Sequence, residues 1–166
     1  ASYLKMANSL RIQGLYNDAI SEYARLGPIV KKSPSSPYSK IVEIWPIYCY
    51  IKLYETYAIA ALKDARYKGP AGKIFNMAMQ SVKKLDEKPP ARQTNEYSLY
   101  KLIRALLRVQ YARQFEQGGN ELKAAEYYRQ SVLEVTEGIV SARVGLDWLP
   151  ESLLMAGDAY EKLNLN

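Results

Sequence analysis

Two stretches of this chain, far apart in the sequence, carry the same series of small and large residues at the same spacing. Each series is an alanine, a large residue three positions later, a glycine four later, an alanine five later and a tyrosine four later. The series are Ala7, Leu10, Gly14, Ala19, Tyr23 and Ala112, Phe115, Gly119, Ala124, Tyr128. Small residues let two helices approach closely, and glycine ends the first helix in a left-handed conformation. The series therefore predicts stacked helix hairpins, because a lone hairpin leaves an apolar face exposed.

Two partial copies of the series accompany the complete ones. Gly157, Tyr160 and Asn164 repeat the first half, and the sequence then ends at Asn166. A degenerate copy keeps only the later half, as Ala71, Phe75 and Ala78. We expect the sequence to be a segment of a longer protein.

Apolar residues recur at helical spacing along nearly the whole chain, which predicts an all-α fold of about seven helices. The predicted helices cover 2–13, 17 or 18 to 26, 39–67, 71–86, 93–117, 120–137 and 151–163. Gly27 and Pro28 are expected to end the second helix, and Gly69 and Pro70 to separate the third from the fourth. Residues 33–37 read as a loop because they are all serine and proline. Pro46 leaves two alternatives, since the third helix either kinks or begins there.

The composition excludes several classes of protein and of site. No apolar run reaches the roughly 18 residues of a membrane span, so no membrane insertion is expected. The chain has one cysteine and no histidine, which rules out an intrachain disulfide and any Ser-His-Asp, Cys-His or histidine-metal site within it. The carboxylates show no ligand-like grouping. We therefore predict a non-catalytic protein with no cofactor and no metal, in which Cys49 is a packed thiol.

The net charge of +6 is unevenly distributed. Residues 31–120 carry sixteen basic and seven acidic groups, whereas residues 121–166 carry four basic and eight acidic groups. This asymmetry favours an acidic partner or head-to-tail self-association, unless it is an ordinary solvated surface. Binding of nucleic acid or another anionic polymer by the 31–120 block is an alternative, though nucleic acid is the less expected partner.

The repeated series resembles the tetratricopeptide repeat family. The resemblance is carried by ANSLRIQGLYNDAISEYARL (7–26), ARQFEQGGNELKAAEYYRQSV (112–132), LLMAGDAYEKLN (153–164) and, more weakly, AGKIFNMAM (71–79). It implies a single array over 1–166, an α-α superhelix of antiparallel hairpins that acts as a protein-protein interaction scaffold. The family repeats every 34 residues, but the equivalent alanines here are 52 and 53 residues apart, so an irregular superhelix is expected. A helical accessory domain of a larger enzyme is the other alternative.

A second resemblance concerns location. The stretches SPSSPYSK and WLPESLLMAGDAYEKLN are similar to phrases of bacterial tetratricopeptide proteins of the cell envelope. This resemblance implies a bacterial periplasmic or envelope protein.

The family resemblance also implies that the first helix of each hairpin lines a concave binding wall. The wall residues carried over by register are Leu4, Asn8, Arg11, Val109, Arg113, Glu116, Glu151, Leu154, Asp158 and Glu161. Some members clamp a terminal carboxylate with lysine, asparagine and arginine. Asn8 fits that pattern, but Leu4 stands where a lysine would be needed, so no such clamp is expected.

A further candidate surface lies on the fifth predicted helix. Steps of four, three, four and three place five residues on one face, opposite Leu99, Ile103, Leu106 and Gln110. The five are Tyr97, Lys101, Arg104, Arg108 and Tyr111. Aromatic rings beside cations suit an acidic peptide or a phosphate group; the alternative is a solvated face whose tyrosines pack on the adjacent helix. The predicted partner-binding residues are these five together with Asn8, Arg11 and Arg113.

Overall fold

Helices make up nearly all of the described chain. A computed structural model of the protein describes residues 2–33, 36, 38–142 and 147–164. Within these ranges there are seven α-helices, one short 3₁₀ helix (Ala65–Tyr67) and no strand. The α-helices are α1 (Ser2–Ile12), α2 (Tyr16–Lys31), α3 (Ser39–Lys63), α4 (Lys68–Glu87), α5 (Asn95–Gln117), α6 (Glu121–Ser141) and α7 (Leu149–Asn164). The all-α prediction with seven helices is confirmed for this part of the chain.

The two predicted hairpin corners have the same geometry. Gly14 and Gly119 are both left-handed, with φ of 76° and 75°. In each corner the glycine N–H donates to the carbonyl three residues back, and the next N–H donates to the carbonyl five residues back, which is how an αL glycine ends a helix. The bonds are Gly14 to Arg11 (3.0 Å), Leu15 to Leu10 (2.9 Å), Gly119 to Glu116 (3.0 Å) and Asn120 to Phe115 (2.8 Å).

The alanines and tyrosines of the series close both hairpins. All four alanines are buried: Ala7, Ala19, Ala112 and Ala124. Both tyrosines are buried as well, and each hydroxyl donates to the first helix of its hairpin. Tyr23 bonds the amide oxygen of Asn8 at 2.6 Å, and Tyr128 bonds the carboxylate of Glu116 at 3.0 Å. The two complete copies are thus equivalent in packing as well as in sequence.

Two prolines lie beyond the first turn of a described helix, Pro28 in α2 and Pro46 in α3. The predicted end of α2 at Gly27 and Pro28 is wrong, because the helix continues to Lys31. Similarly, α3 begins at Ser39 and runs through Pro46, so the alternative that it begins at Pro46 is wrong. A proline removes one helical hydrogen bond. In α3 the loss is offset by the burial of Ile44, Trp45 and Ile47 around it.

Three other helix boundaries differ from the prediction by three residues or more. α3 ends at Lys63 rather than 67, and the Asp64 carboxylate accepts the N–H of Arg66 to cap the 3₁₀ helix. α4 begins at Lys68, so Gly69 and Pro70 lie in its first turn, where a proline displaces no helical bond. α6 extends four residues beyond 137, to Ser141. The predicted loop at positions 34, 35 and 37 lies outside the described residues.

Two compact units divide the chain, Ala1–Asp86 and Glu87–Asn166. In unit 1, α2 packs on both α1 and α3, and the ring of Phe75 on α4 lies 4.7 Å from that of Tyr54 on α3. In unit 2, α6 packs on both α5 and α7. Each unit contains one buried tryptophan, Trp45 in unit 1 and Trp148 in unit 2. The single array over 1–166 stays a prediction. Among the described helices, none has the length and apolar character of a membrane span.

Gly138 sets the close approach of α6 to α5. A Cβ at this position would lie 2.9 Å from the Cβ of Lys101 and 3.1 Å from the carbonyl oxygen of Ser98. We expect Gly138→Ala to lower the free energy of unfolding by about 1–3 kcal/mol through overpacking. The control is Gly157→Ala, where a Cβ meets nothing within 4 Å and alanine should add about 0.5–1 kcal/mol through helix propensity. Urea unfolding followed by circular dichroism measures both; equal stabilisation by the two variants would contradict the prediction.

A candidate peptide-binding groove

A cavity of about 450 Å³ opens in unit 1 between α1, the last turns of α2 and the start of α3. This size falls within the range of ligand-binding clefts. The apolar walls are Leu4, Leu26, Ile29, Val30, Tyr38 and Val42, and the polar lining is Lys5, Asn8, Ser33 and Ser36. We call this cavity the α1–α3 groove. Two residues of the predicted wall, Leu4 and Asn8, lie in it.

Helical spacing brings the groove residues together. Leu4 and Asn8 are four apart on α1, and Tyr38 and Val42 are four apart at the start of α3, so each pair shares a face. On α2 the contributing positions are 26, 29 and 30. Ile29 and Val30 lie beyond Pro28, in the last turn of α2, where the sequence predicted that the helix had already ended. This side of the groove therefore depends on a helix turn that was not predicted.

Asn8 is held in a defined orientation. The hydroxyl of Tyr23 donates to the Asn8 amide oxygen at 2.6 Å. Burial raises the pKa of Tyr23 well above its usual range, so the hydroxyl keeps its proton at neutral pH. The oxygen of the amide is thereby occupied, and its NH₂ group makes no hydrogen bond within the described residues. Asn8 therefore presents a donor to the groove.

Arg11 does not line the groove, although it was predicted on the same wall. Its side chain is only 9% exposed, and its guanidinium lies 3.4 Å from the ring centroid of Trp45. This is a cation–π contact inside unit 1. Cys49 nearby is fully buried, and burial raises the pKa of its thiol to about 12. Cys49 is a packed thiol, as predicted, while partner binding by Arg11 stays a prediction that its burial does not favour.

One lysine lines the groove, and two more are close to the lining residues in the sequence. Lys5 belongs to the lining, and Lys31 and Lys32 follow the lining residue Val30 in the chain. None of the three forms an ion pair within the described residues, and no carboxylate belongs to the described lining. Residues 1–86 carry thirteen basic and six acidic groups in the sequence, a net charge of +7. An anionic group would be attracted to Lys5 and to this net positive charge.

The five-residue face predicted on α5 packs against α6. Lys101 bonds Glu134 at 2.7 Å and Glu137 at 2.8 Å, and Arg104 bonds Glu134 at 2.8 Å. The other members also lie in the hairpin: the Tyr97 hydroxyl donates to Glu137, Tyr111 stacks on Tyr127, and the Arg108 guanidinium lies 5.9 Å from the Tyr127 ring. The structure therefore brings the five residues together against α6, and it agrees with the alternative in which the tyrosines of this face pack on the adjacent helix. Partner binding by them stays a prediction.

The charges of this cluster neutralise one another. The hydrogen bonds from Lys101 and Tyr97 lower the pKa of Glu137. Burial favours the neutral amine of Lys101, but the hydrogen bonds that it donates to Glu134 and Glu137 outweigh this effect and raise the pKa of Lys101. The Glu137 carboxylate and the Lys101 amine are thus both charged at neutral pH. An acidic ligand would have to displace Glu134 and Glu137 to reach these cations.

The remaining predicted wall residues are divided between the interior and the surface. Val109 is buried, and Glu116 is bonded by Tyr128 and lies 3.5 Å from Lys162. Arg113, Leu154, Asp158 and Glu161 are exposed, and Glu151 is half-buried. Within the 31–120 block, Lys40, Lys52 and Arg66 are paired with Glu43, Glu55 and Asp64. These ion pairs reduce the unpaired positive charge that nucleic-acid binding would require. Nucleic-acid binding stays an alternative.

Comparison with models of known protein families, with curated proteins and with solved structures finds no match for this chain. The tetratricopeptide resemblance therefore stays a prediction. Among the described residues, no cluster of three or more metal-ligating side chains is present.

Proposed function

We propose that the protein is an interaction module whose α1–α3 groove binds a short segment of a partner protein. The bound segment inserts one large apolar side chain and places an acidic residue beside Lys5. The observation that carries this proposal is an apolar groove whose described lining contains Lys5, which forms no ion pair within the described residues, and no carboxylate.

The apolar walls supply the affinity. Ile29 and Tyr38 are more than half exposed although both line the groove. An inserted leucine or phenylalanine would cover them, and full burial of such a side chain is worth about 1.5–3 kcal/mol. Exposed apolar surface of this kind, edged by polar residues, is typical of an interaction site.

The polar groups supply orientation and charge selectivity. The NH₂ group of Asn8, fixed by Tyr23, can donate to a backbone carbonyl of the bound segment. Lys5 can bond a carboxylate through a charge-assisted hydrogen bond. Basic segments would be repelled by Lys5 because no acidic side chain of the described lining compensates its charge.

The groove offers binding groups rather than a catalytic set. Its described polar lining consists of an amine, an amide, two serine hydroxyls and the Tyr38 phenol. It holds no carboxylate, imidazole or thiol to act as a general base or nucleophile-activating group. These groups favour recognition over bond cleavage.

A peptide-binding measurement tests the proposal. The probes are fluorescein-labelled ten-residue peptides that contain one leucine or phenylalanine flanked by glutamates, with glutamate-to-lysine and apolar-to-serine versions as controls. We expect acidic apolar peptides to bind in fluorescence anisotropy with a dissociation constant below about 1 mM, or about −4.1 kcal/mol. Both control peptides should bind at least about tenfold more weakly, a difference of about 1.4 kcal/mol.

Protein variants locate the binding. Ile29→Asp, in the groove, should abolish binding, whereas Ile59→Asp, on α3 and outside the groove lining, should not. The two isoleucines are matched in exposure, at 55% and 59%. Lys5→Glu should weaken binding of the acidic peptides, with Lys73→Glu on α4 as its control. Lack of binding by every acidic peptide, or equal loss in Ile29→Asp and Ile59→Asp, would overturn the proposal.

A further inference from the structure

One side of α7 is apolar and uncovered. Ser152, Met155 and Ala159 are buried, whereas Leu153, Leu154 and Tyr160 on the rest of the helix are exposed, Leu154 at 68%. Leu153, Gly157 and Tyr160 follow each other in steps of four and three, so they share one side of the helix. We call Leu153, Leu154, Gly157, Asp158, Tyr160 and Glu161 the α7 face.

The repeated series shows what covers the corresponding side of α1 and α5. Gly157 is equivalent to Ala7 and Ala112, which are fully buried in their hairpins. Gly157 is exposed, and a Cβ built there would meet no atom within 4 Å. At this position α7 therefore has the surface of a first hairpin helix, but no described helix packs on it as α2 packs on α1 and α6 packs on α5.

The hydrogen-bond acceptors of the closed hairpins are also repeated on α7. Tyr23 bonds Asn8, one residue after the first alanine of its series. Tyr128 bonds Glu116, four residues after its first alanine. The same two positions relative to Gly157 are occupied by Asp158 and Glu161. Both are exposed, and neither is bonded within the described residues.

We infer that the α7 face docks an amphipathic helix that carries the sequence Ala-x-x-x-Tyr and is supplied from outside the described residues. Both second helices of the closed hairpins have this pattern, as Ala19 with Tyr23 and Ala124 with Tyr128. The alanine of the docked helix packs on Gly157, and its tyrosine hydroxyl donates to Asp158 or Glu161. This site lies in unit 2, and its existence does not depend on the groove of unit 1.

A helix peptide tests the inference with the whole chain. The probe is a fluorescein-labelled peptide of residues 120–141, lactam-stapled on its polar side because short isolated helices are marginal in water. We expect saturable binding in fluorescence anisotropy. The peptide with Ala124→Trp should bind at least about tenfold more weakly because the bulky ring prevents close approach. The peptide with Tyr128→Phe should bind about two- to tenfold more weakly because it lacks one hydrogen bond.

Substitutions on α7 show where the peptide binds. Gly157→Trp should abolish binding, and Gly157→Ala should retain it. Neither change meets a neighbouring atom at the Cβ, so both variants are expected to fold. Leu133→Trp, at a residue of α6 that is 70% exposed, is the bulky control. The inference is overturned if the stapled peptide does not bind up to 1 mM, if Gly157→Trp binds as well as Gly157→Ala, or if sedimentation shows that a second copy of the chain covers Gly157 and excludes the peptide.

Discussion

Replacing Glu134 with alanine is expected to lower the free energy of unfolding by about 3 kcal/mol. Glu134 bonds both Lys101 and Arg104, and the three side chains are only 13%, 13% and 21% exposed. Without Glu134, Lys101 keeps Glu137, but the mostly buried Arg104 loses the ion pair that it makes with Glu134 at 2.8 Å. The expected loss lies at the lower end of the range for breaking a buried ion pair because solvent still reaches part of the cluster.

Glu126→Ala is the control for this effect. Glu126 is also on α6 and pairs with Lys123, but both side chains are about half exposed. Such pairs contribute little, so a change within about 0.5 kcal/mol is expected. Urea unfolding followed by Trp148 fluorescence and by circular dichroism measures both variants. A double variant, Arg104→Met with Glu134→Leu, should recover part of the loss because no unpaired charge remains. Equal effects of Glu134→Ala and Glu126→Ala would contradict the prediction.

The hairpin corners could be predicted because their signals are local. An αL glycine, two alanines and a tyrosine at fixed spacing specify how one helix ends and how the next packs on it. The prolines did not predict where α2 and α3 begin or end. A proline removes one helical hydrogen bond, whereas the continuation of a helix also depends on which of its neighbouring side chains are buried. Pro46 lies in a helix with Ile44, Trp45 and Ile47 buried beside it.

The residues of the candidate sites could be predicted only in part from the sequence, for a related reason. Leu4 and Asn8 could be named from repeat register, but the groove also needs Tyr38 and Val42, which come from another helix. Likewise, the charged face of α5 looked free because its partners, Glu134 and Glu137, come some thirty residues later. Helical periodicity shows which side chains share a face, but not which neighbouring helix covers that face.

The largest loss of stability is expected from Tyr23→Ala and Tyr128→Ala, at about 3–5 kcal/mol each, the range for deletion of a large buried aromatic ring. Both rings are buried between the two helices of a hairpin, so the change leaves a cavity in addition to removing a hydrogen bond. Tyr23→Phe and Tyr128→Phe keep the ring and should lose only about 1 kcal/mol. Burial, reinforced by the hydrogen bond to Glu116, raises the pKa of Tyr128 to about 12, so its hydroxyl is a donor at neutral pH.

The two tryptophans allow each hairpin to be measured in its own unit. Trp45 lies in unit 1 with Tyr23, and Trp148 lies in unit 2 with Tyr128. Trp148→Phe leaves Trp45 as the only tryptophan, and Trp45→Phe leaves Trp148. In the first of these chains Tyr23→Ala should shift the urea transition that Trp45 fluorescence reports. In the second, Tyr128→Ala should shift the transition that Trp148 fluorescence reports. Because the two tyrosines occupy equivalent positions, their alanine and phenylalanine variants should lose stability in the same ratio. A large loss at one tyrosine and none at the other would show that the two hairpins are not energetically equivalent, and would weaken the transfer of their packing to the α7 face.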